Sequence, residues 1–279
     1  YLEAIGHLWE NVVGKKLSIT GGVGASRQGE DYGENYELPN QPYNETCAAI
    51  ANVYWNHRMF LLHGDSRYMD VLERSLYNGV ISGLSLDGTL FFYPNTLQHD
   101  GESLFNQGVN GRSPWFNCSC CPSNLSRFIP SVAGYAYASR GEDIYVNLFL
   151  NSEVSIKTSG GELHLAQQSS YPWEGNIQLY VLNEDAVKAK IRIRIPGWAR
   201  NTPVPSDLFR FADPRVSPFF LNVNGEEVEA ELDKGYVVLA GNWKKGDMIS
   251  LELPMEDRLV VAHEQVNAKK AWRPSSMAP

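Results

Sequence analysis

Three of the chain's four cysteines, Cys118, Cys120 and Cys121, fall within the single stretch WFNCSCCPSN, and Cys47 lies upstream in YNETCAAIANVYW. Glu45 stands two residues before Cys47. Thiolates and carboxylates are ligands that tetrahedral zinc accepts, so these side chains are candidate metal donors. The C-x-C-C run has no zinc-finger spacing, and adjacent cysteines such as Cys120 and Cys121 make poor disulfide partners. A structural zinc held by all four cysteines and a disulfide pair in an exported protein remain open beside a catalytic metal site.

The donors constrain the backbone that carries them. Residues i and i+2 on a helix point about 200° apart, so Glu45 and Cys47 can share one ion only where the chain is just entering a helix. That predicts a helix starting at 45 to 48. Pro122 follows Cys121 and suits the first turn of a second helix. Both donor pairs would then sit at helix N-termini, where the dipole favours thiolate and carboxylate. Upstream, RQGEDYGENYELPNQPYNETC mixes Glu30, Asp31, Glu34, Glu37 and Glu45 with Gly, Asn, Pro and Tyr. Such a run reads as a solvated acidic loop, or as a sugar pocket in which aromatic faces stack on rings and carboxylates accept hydroxyls.

Around these residues the first half is helical in pattern. YLEAIGHLWENVVGKK sets Leu2, Ile5, Leu8, Trp9, Val12 and Val13 on one stripe, and CAAIANVYWNHRMFLLHG does the same through Ile50, Val53, Tyr54, Met59 and Leu61 before Gly64. Both read as core-facing helices. A third opens at the cap candidate Asp65 and runs through Met69, Leu72, Leu76 and Val80 towards Gly83. Asp87-Gly88 between short β-prone runs signals a hairpin, and a fourth helix is expected from about Leu125 to Ala138. From EDIYVNLFLNSEVSI onward the period is two: KAKIRIRIPGW, FFLNVNGEEV with its Asn-Gly turn and YVVLAGNWKKGDMISLELP all read as strands. Residues 140–265 are therefore expected to form an antiparallel β-sandwich, after a helical portion at 1–139; the tail 266–279 has no clear period and is left unassigned.

The 279 residues favour two domains, and 43% hydrophobic with 20% charged residues is ordinary globular composition. A net charge of −8 argues against nucleic acid or an anionic membrane as the main partner. No apolar run is long enough for a membrane span and no basic-then-apolar leader is present, so a soluble protein is expected, cytoplasmic or periplasmic in a bacterium; an oligomer is possible.

The segments YELPNQPYNETCAAIANVYWNHRMFLLHGDSRYMDVLERSLYNGVISGLSLDGTLFFYPN and SPWFNCSCCPSNLSRFIPSVAGYAYA resemble the β-L-arabinofuranosidases of glycoside hydrolase family 127 and its relative family 146. The strands that follow resemble that family's β-sandwich region. The resemblance implies a zinc-dependent, retaining glycoside hydrolase that releases L-arabinose from arabinose-containing glycans, with part of an (α/α)6 barrel in the helical half. It implies Glu45, Cys47, Cys120 and Cys121 as zinc ligands, Cys120 as the nucleophile and Glu30 as the acid/base, although the family reads Glu-Gly where this chain reads Glu30-Asp31. It places Glu73 of DVLER and Tyr93 of FFYPN at sugar-contacting positions, against the plainer readings of a surface helix charge and a core aromatic. Cys118 is left over, expected as a small buried packing residue. A non-catalytic carbohydrate-binding or scaffold protein with a structural zinc is the alternative.

Overall fold

The computed structural model describes residues 1–229 and 231–266, so the tail beyond Val266 lies outside the described residues. The first half holds helices α1 (Leu2–Lys15), α2 (Thr46–His63), α3 (Ser66–Ser75) and α4 (Cys120–Phe128). Helix α2 starts where the shared-ion argument requires and stops at Gly64, whose φ of 60° is the left-handed conformation that closes a helix without a Cβ penalty. Asp65 caps α3 by accepting from the Arg67 amide at 3.0 Å. The chain then passes through a π-helical turn at Leu76–Val80 and a 3-10 turn at Ile81–Gly83. A Cβ on Gly83 would lie 2.8 Å from Thr46 Oγ1, so glycine lets this turn press against the start of α2.

Packing follows narrower stripes than the sequence suggests. Trp9, Val12 and Val13 of α1 join Ile50, Val53, Met59 and Phe60 of α2, Met69 and Leu72 of α3, and Leu125 and Phe128 of α4 in one apolar cluster. Leu2, Leu8 and Leu61, expected in the core, are instead 59%, 62% and 56% exposed. Leu8 and Leu61 each sit about 100° around the helix from a buried neighbour, Trp9 or Phe60, and Leu2 lies in the frayed first turn. The fourth helix also differs: α4 begins at Cys120, five residues before the expected Leu125, and gives way to a 3-10 segment at Ile129–Tyr135. Pro130, lacking an N–H, ends the α-helical ladder there. At Asp87-Gly88 the expected hairpin reduces to a tight turn with one isolated bridge, Leu84 to Phe91, because Phe91 also pairs with Ser113.

The second half is built of sheets. One has the order β1 (Tyr137–Arg140), β2 (Asp143–Val146), β6 (Val187–Arg194), β11 (Tyr236–Trp243), β10 (Leu232–Asp233). The other has the order β3 (Ser152–Thr158), β4 (Gly161–Ser169), β5 (Asn176–Val181), β12 (Met248–Glu252), β8 (Phe220–Val223), β9 (Glu226–Glu227), and β7 (Phe209–Phe211) pairs separately with β13 (Val260–Ala262). Inward residues of both large sheets, among them Ile191, Ile193, Leu165, Leu179 and Leu251, share one apolar core. The expected all-antiparallel arrangement fails at β2, which runs parallel to β6. Alternation of apolar residues dictates which face is buried and is silent on strand direction. With four α-helices among the described residues, the fold class established is mixed α and β.

The two halves meet at Arg194, whose side chain on β6 is fully buried. It donates to Asp70 Oδ1 at 2.8 Å and to Glu73, both on α3, and to the Asn147 carbonyl at 2.7 Å. Arg200 reaches Asp70 Oδ2 at 3.3 Å.

Candidate metal centre and active site

Two helix starts are brought face to face by the loop that follows α3. Glu45 pairs with Pro94 in an isolated bridge, the Thr46 amide donates to the Tyr93 carbonyl at 2.9 Å, and Asn95 Nδ2 donates to Thr46 Oγ1 at 2.9 Å. Asn106, fully buried, accepts from the Tyr93 amide at 2.8 Å and fixes that strand-like segment from its other side. Glu45 occupies the N-cap position of α2 but makes no side-chain capping bond, which leaves its carboxylate for other partners. Cys120 and Cys121 open α4, with Pro122 in its first turn, as the Pro122 argument anticipates.

The result is one cluster: donor atoms of Glu45, Cys47, Cys120 and Cys121 all lie within 4.8 Å of one another. Cys47 Sγ is 3.4 Å from Cys121 Sγ and Cys120 Sγ is 3.9 Å from Cys121 Sγ, while Glu45 Oε1 is 3.5 Å from each of Cys120 and Cys121. A tetrahedral zinc with Zn–S bonds of about 2.3 Å sets donor separations of about 3.8 Å. Three sulfurs and one oxygen at these distances fit such an ion. All four cysteines are free thiols, which removes the disulfide reading.

Electrostatics point the same way. Burial pushes the Cys120 thiol up to about 12, and the bond with Cys47, with burial second, pushes Cys121 further up. Cys47 is lowered because Cys121 supports its thiolate. The two close sulfurs thus share one proton: the first ionisation of the pair is favoured and the second opposed. Glu45 is raised by burial and by the nearby charge of Glu30. Four acids crowded into one buried spot cannot all ionise unless a cation joins them.

Around the cluster stands an aromatic wall. Tyr93 Oη lies 2.9 Å from Cys120 Sγ, its ring is T-shaped on Phe116 at 5.5 Å, and Tyr43 tilts against it at 6.2 Å. Tyr43, Phe116 and Asn106 were not singled out from the sequence; an aromatic two residues before Glu45 is the one local signal that points to any of them. Glu30 lies on an exposed 3-10 turn at φ 52°, a left-handed conformation uncommon outside glycine, close enough for its charge to raise both Glu45 and Tyr43. It is outside the donor cluster. Glu73 is neither a surface charge nor a member of the cluster: it is 5% exposed and paired with Arg194. Cys118, expected to be buried, is exposed on the loop before α4, with its sulfur 3.8 Å from Tyr93 Oη. Burial goes instead to Cys121, which the helix turns inward.

Convergent thiol and carboxylate donors on two helix N-termini, in a mixed α and β fold, define a metal-capable centre. Residues 1–134 match the β-L-arabinofuranosidase GH127 catalytic domain and residues 143–255 match the GH127 middle domain, and the chain belongs to glycoside hydrolase family 127. It is 33% identical over 270 residues to the non-reducing end β-L-arabinofuranosidase of Bifidobacterium longum subsp. longum, covering 93% of this chain and 38% of that protein. A solved β-arabinofuranosidase of the family superposes with a TM-score of 0.91 at 48% identity, over 96% of this chain and 41% of the other. The β-L-arabinofuranosidase of Geobacillus stearothermophilus T6 gives a TM-score of 0.84 at 38% identity, over 95% and 40%. The chain thus spans about two fifths of the length of these relatives.

Proposed function

We propose that this chain carries the catalytic centre of a retaining β-L-arabinofuranosidase that releases L-arabinose from arabinose-containing glycans. Residues 1–139 then contribute to an (α/α)6 catalytic barrel and 140–265 form a β-sandwich; the break between the two matched family domains, at 134 to 143, supports that division. Glu45, Cys47, Cys120 and Cys121 would hold Zn2+, which when bound keeps the thiols as thiolates at neutral pH. The observation that carries the reading is the 2.9 Å contact between Tyr93 Oη and Cys120 Sγ, which singles out one thiol of the cluster as the one met by a hydroxyl.

In the first step Cys120 Sγ attacks the anomeric carbon while Glu30 gives its proton to the departing glycosidic oxygen; the C–S bond forms as the C–O bond breaks. In the second, Glu30 takes a proton from water, the water oxygen attacks the same carbon, and the C–S bond breaks to return the thiolate. Two inversions give net retention. Tyr93 donates to the sulfur when it is anionic, holds it in place and supplies a contact to the sugar, while Glu73, expected at the sugar, is 5% exposed and held by Arg194 in the interface. Full-length protein incubated with an aryl β-L-arabinofuranoside should release the β-anomer first, read by NMR, and a trapped reaction should show one pentose on the peptide containing Cys120. Release of the α-anomer, or an adduct on a carboxylate, would overturn the mechanism. A bound zinc with no hydrolysis of any furanoside would favour a non-catalytic carbohydrate-binding protein.

A further inference from the structure

A pocket of about 300 Å³ is lined by residues of both halves, Arg74 from α3 and the rest from the sheet region, and shares no residue with the donor cluster, Glu30 or Tyr93. Its apolar wall is aromatic. The rings of Tyr171 and Trp198 stack with 16° between their planes and 6.5 Å between their centres, and Trp198 Nε1 donates to Tyr171 Oη at 3.3 Å. Phe211 of β7 adds a third ring, and the Arg258 guanidinium lies 3.7 Å from its centre. A cation set this close to an aromatic ring is attracted by its quadrupole and loses freedom to swing away.

The charge of this lining is the unusual feature in a chain of net charge −8. Arg74 and Arg258 both line the pocket, and neither closes an ion pair among the described residues. Arg74 donates to two neutral carbonyls, Ile19 at 2.8 Å and Pro203 at 2.6 Å, while the carboxylates whose charge acts on it, Glu73 and Asp70, are taken by Arg194. Arg258 donates to Asn201 Oδ1 at 2.7 Å and to the Asp213 carbonyl, while the Asp213 carboxylate pairs with Arg215. Its Nε is buried with no hydrogen-bond partner among the described residues, an unfavourable state for a charged donor. One acidic residue, the exposed Glu256, completes the lining and accepts from Ser217 Oγ at 2.7 Å. Two guanidiniums are thus fixed in advance by neutral oxygens and an aromatic face, with their charge uncompensated. That combination suits a carboxylate. The rings call for an apolar face beside it, and Ser217 with Glu256 offers partners for hydroxyls. At about 300 Å³ the space lies at the low end of the range of about 300–1,000 Å³ usual for small-molecule sites, room for one ring.

We infer that this pocket binds one ring of an acidic sugar, its carboxylate on Arg258 Nε with Arg74 as the second cation and its C–H face on the aromatic wall. The inference uses none of the catalytic assignments, so either can fail without the other. Methyl β-D-glucuronide and methyl β-D-glucoside have the same ring and differ in carboxylate against hydroxymethyl; benzoate keeps a carboxylate on a ring without hydroxyls. In calorimetric titrations of the full-length protein at low salt, the glucuronide should bind about tenfold or more tightly than either, and added salt should weaken it. Arg258→Lys keeps the charge but loses the Nε donor, and should weaken the glucuronide about tenfold. Glu256→Gln, at an exposed position, keeps an acceptor oxygen and drops the one negative charge of the lining. It should tighten the glucuronide about twofold and leave the glucoside unchanged. Equal binding of glucuronide and glucoside, benzoate as tight as the glucuronide, or no glucuronide binding would overturn the inference. Glucuronide binding that both variants leave unchanged would place the acidic sugar elsewhere and overturn it as well.

Discussion

Arg194→Met isolates what joins the helical half to the sheets. The guanidinium is fully buried between Asp70, whose side chain is 10% exposed, and Glu73, at 7%. Methionine fills much of the volume and removes the charge, leaving two carboxylates in a dry interface with Arg200, 3.3 Å from Asp70, and Arg74, whose charge also acts on Glu73 and Asp70, as neighbouring cations. Removing one partner from a buried pair costs about 3–5 kcal/mol. For a domain of this size each kcal/mol moves Tm by about 2–4 °C, so the fall should be about 6–20 °C.

The same substitution carries a pH signature. Burial raises the Glu73 carboxyl above its ordinary 4.5, and the charge of Arg194 holds that rise in check. Without Arg194 the folded-state value climbs further, so the folded protein holds the Glu73 proton more tightly than the unfolded chain does. A group raised in this way contributes most below its unfolded value and loses that contribution as pH rises through its folded value. The stability deficit of Arg194→Met should therefore be larger at about pH 8 than at about pH 5. Scanning fluorimetry of the full-length protein at both pH values measures it, and the double variant Arg194→Met/Glu73→Gln should regain part of the loss because no charge is then stranded at that position. A fall in Tm of less than about 3 °C, or a double variant no better than the single one, would refute the reasoning. Glu73→Gln alone also discriminates: unchanged Tm with lost turnover assigns Glu73 to the sugar, whereas a large drop in Tm assigns it to the interface.

Cys118→Ala should keep bound zinc, measured by plasma mass spectrometry, and most activity, since its thiol is exposed and outside the donor set. Cys47→Ser should lose zinc, because the hydroxyl is a far weaker ligand, and chelation of the wild-type protein should lower Tm in a way that added zinc restores. Glu30→Gln should slow methyl glycosides by about a hundredfold or more and nitrophenyl glycosides much less in the bond-breaking step, as read by burst kinetics. Cys120→Ser should lose turnover of both, so a near-normal rate in that variant would transfer the nucleophile to a carboxylate.

Much of the site was legible because its constraints are local. The i, i+2 spacing of Glu45 and Cys47 demands a helix start, and Thr46 opens α2; Cys121-Pro122 demands another, and Cys120 opens α4. What stayed hidden depends on contacts distant in sequence. Glu73 reads as an exposed helix charge until Arg194, 121 residues later, covers it. Cys118 and Cys121 are chemically alike, and only the direction in which α4 turns decides that the second is buried. The parallel step between β2 and β6 escapes detection for a similar reason, since period-two alternation reports the faces of a strand and not its neighbour.

The cluster also accounts for the pairing of a sulfur nucleophile with a metal in the proposed mechanism. A cysteine as enclosed as Cys120, held up to about 12 by burial, is a poor nucleophile near neutral pH because almost none of it is thiolate. Exposing it would lower that value and would admit water to the site. A cation held among Glu45, Cys47, Cys120 and Cys121 would resolve the conflict, because it would favour every anionic donor at once without opening the pocket. On the proposed mechanism, the sulfur that attacks needs a stabilising partner beyond the other cluster donors. Cys120 is the cluster sulfur within 2.9 Å of a tyrosine hydroxyl. Tyr93→Phe should therefore reduce kcat while leaving zinc content unchanged, and a variant that loses the metal instead would place Tyr93 with the framework and not with the reacting sulfur.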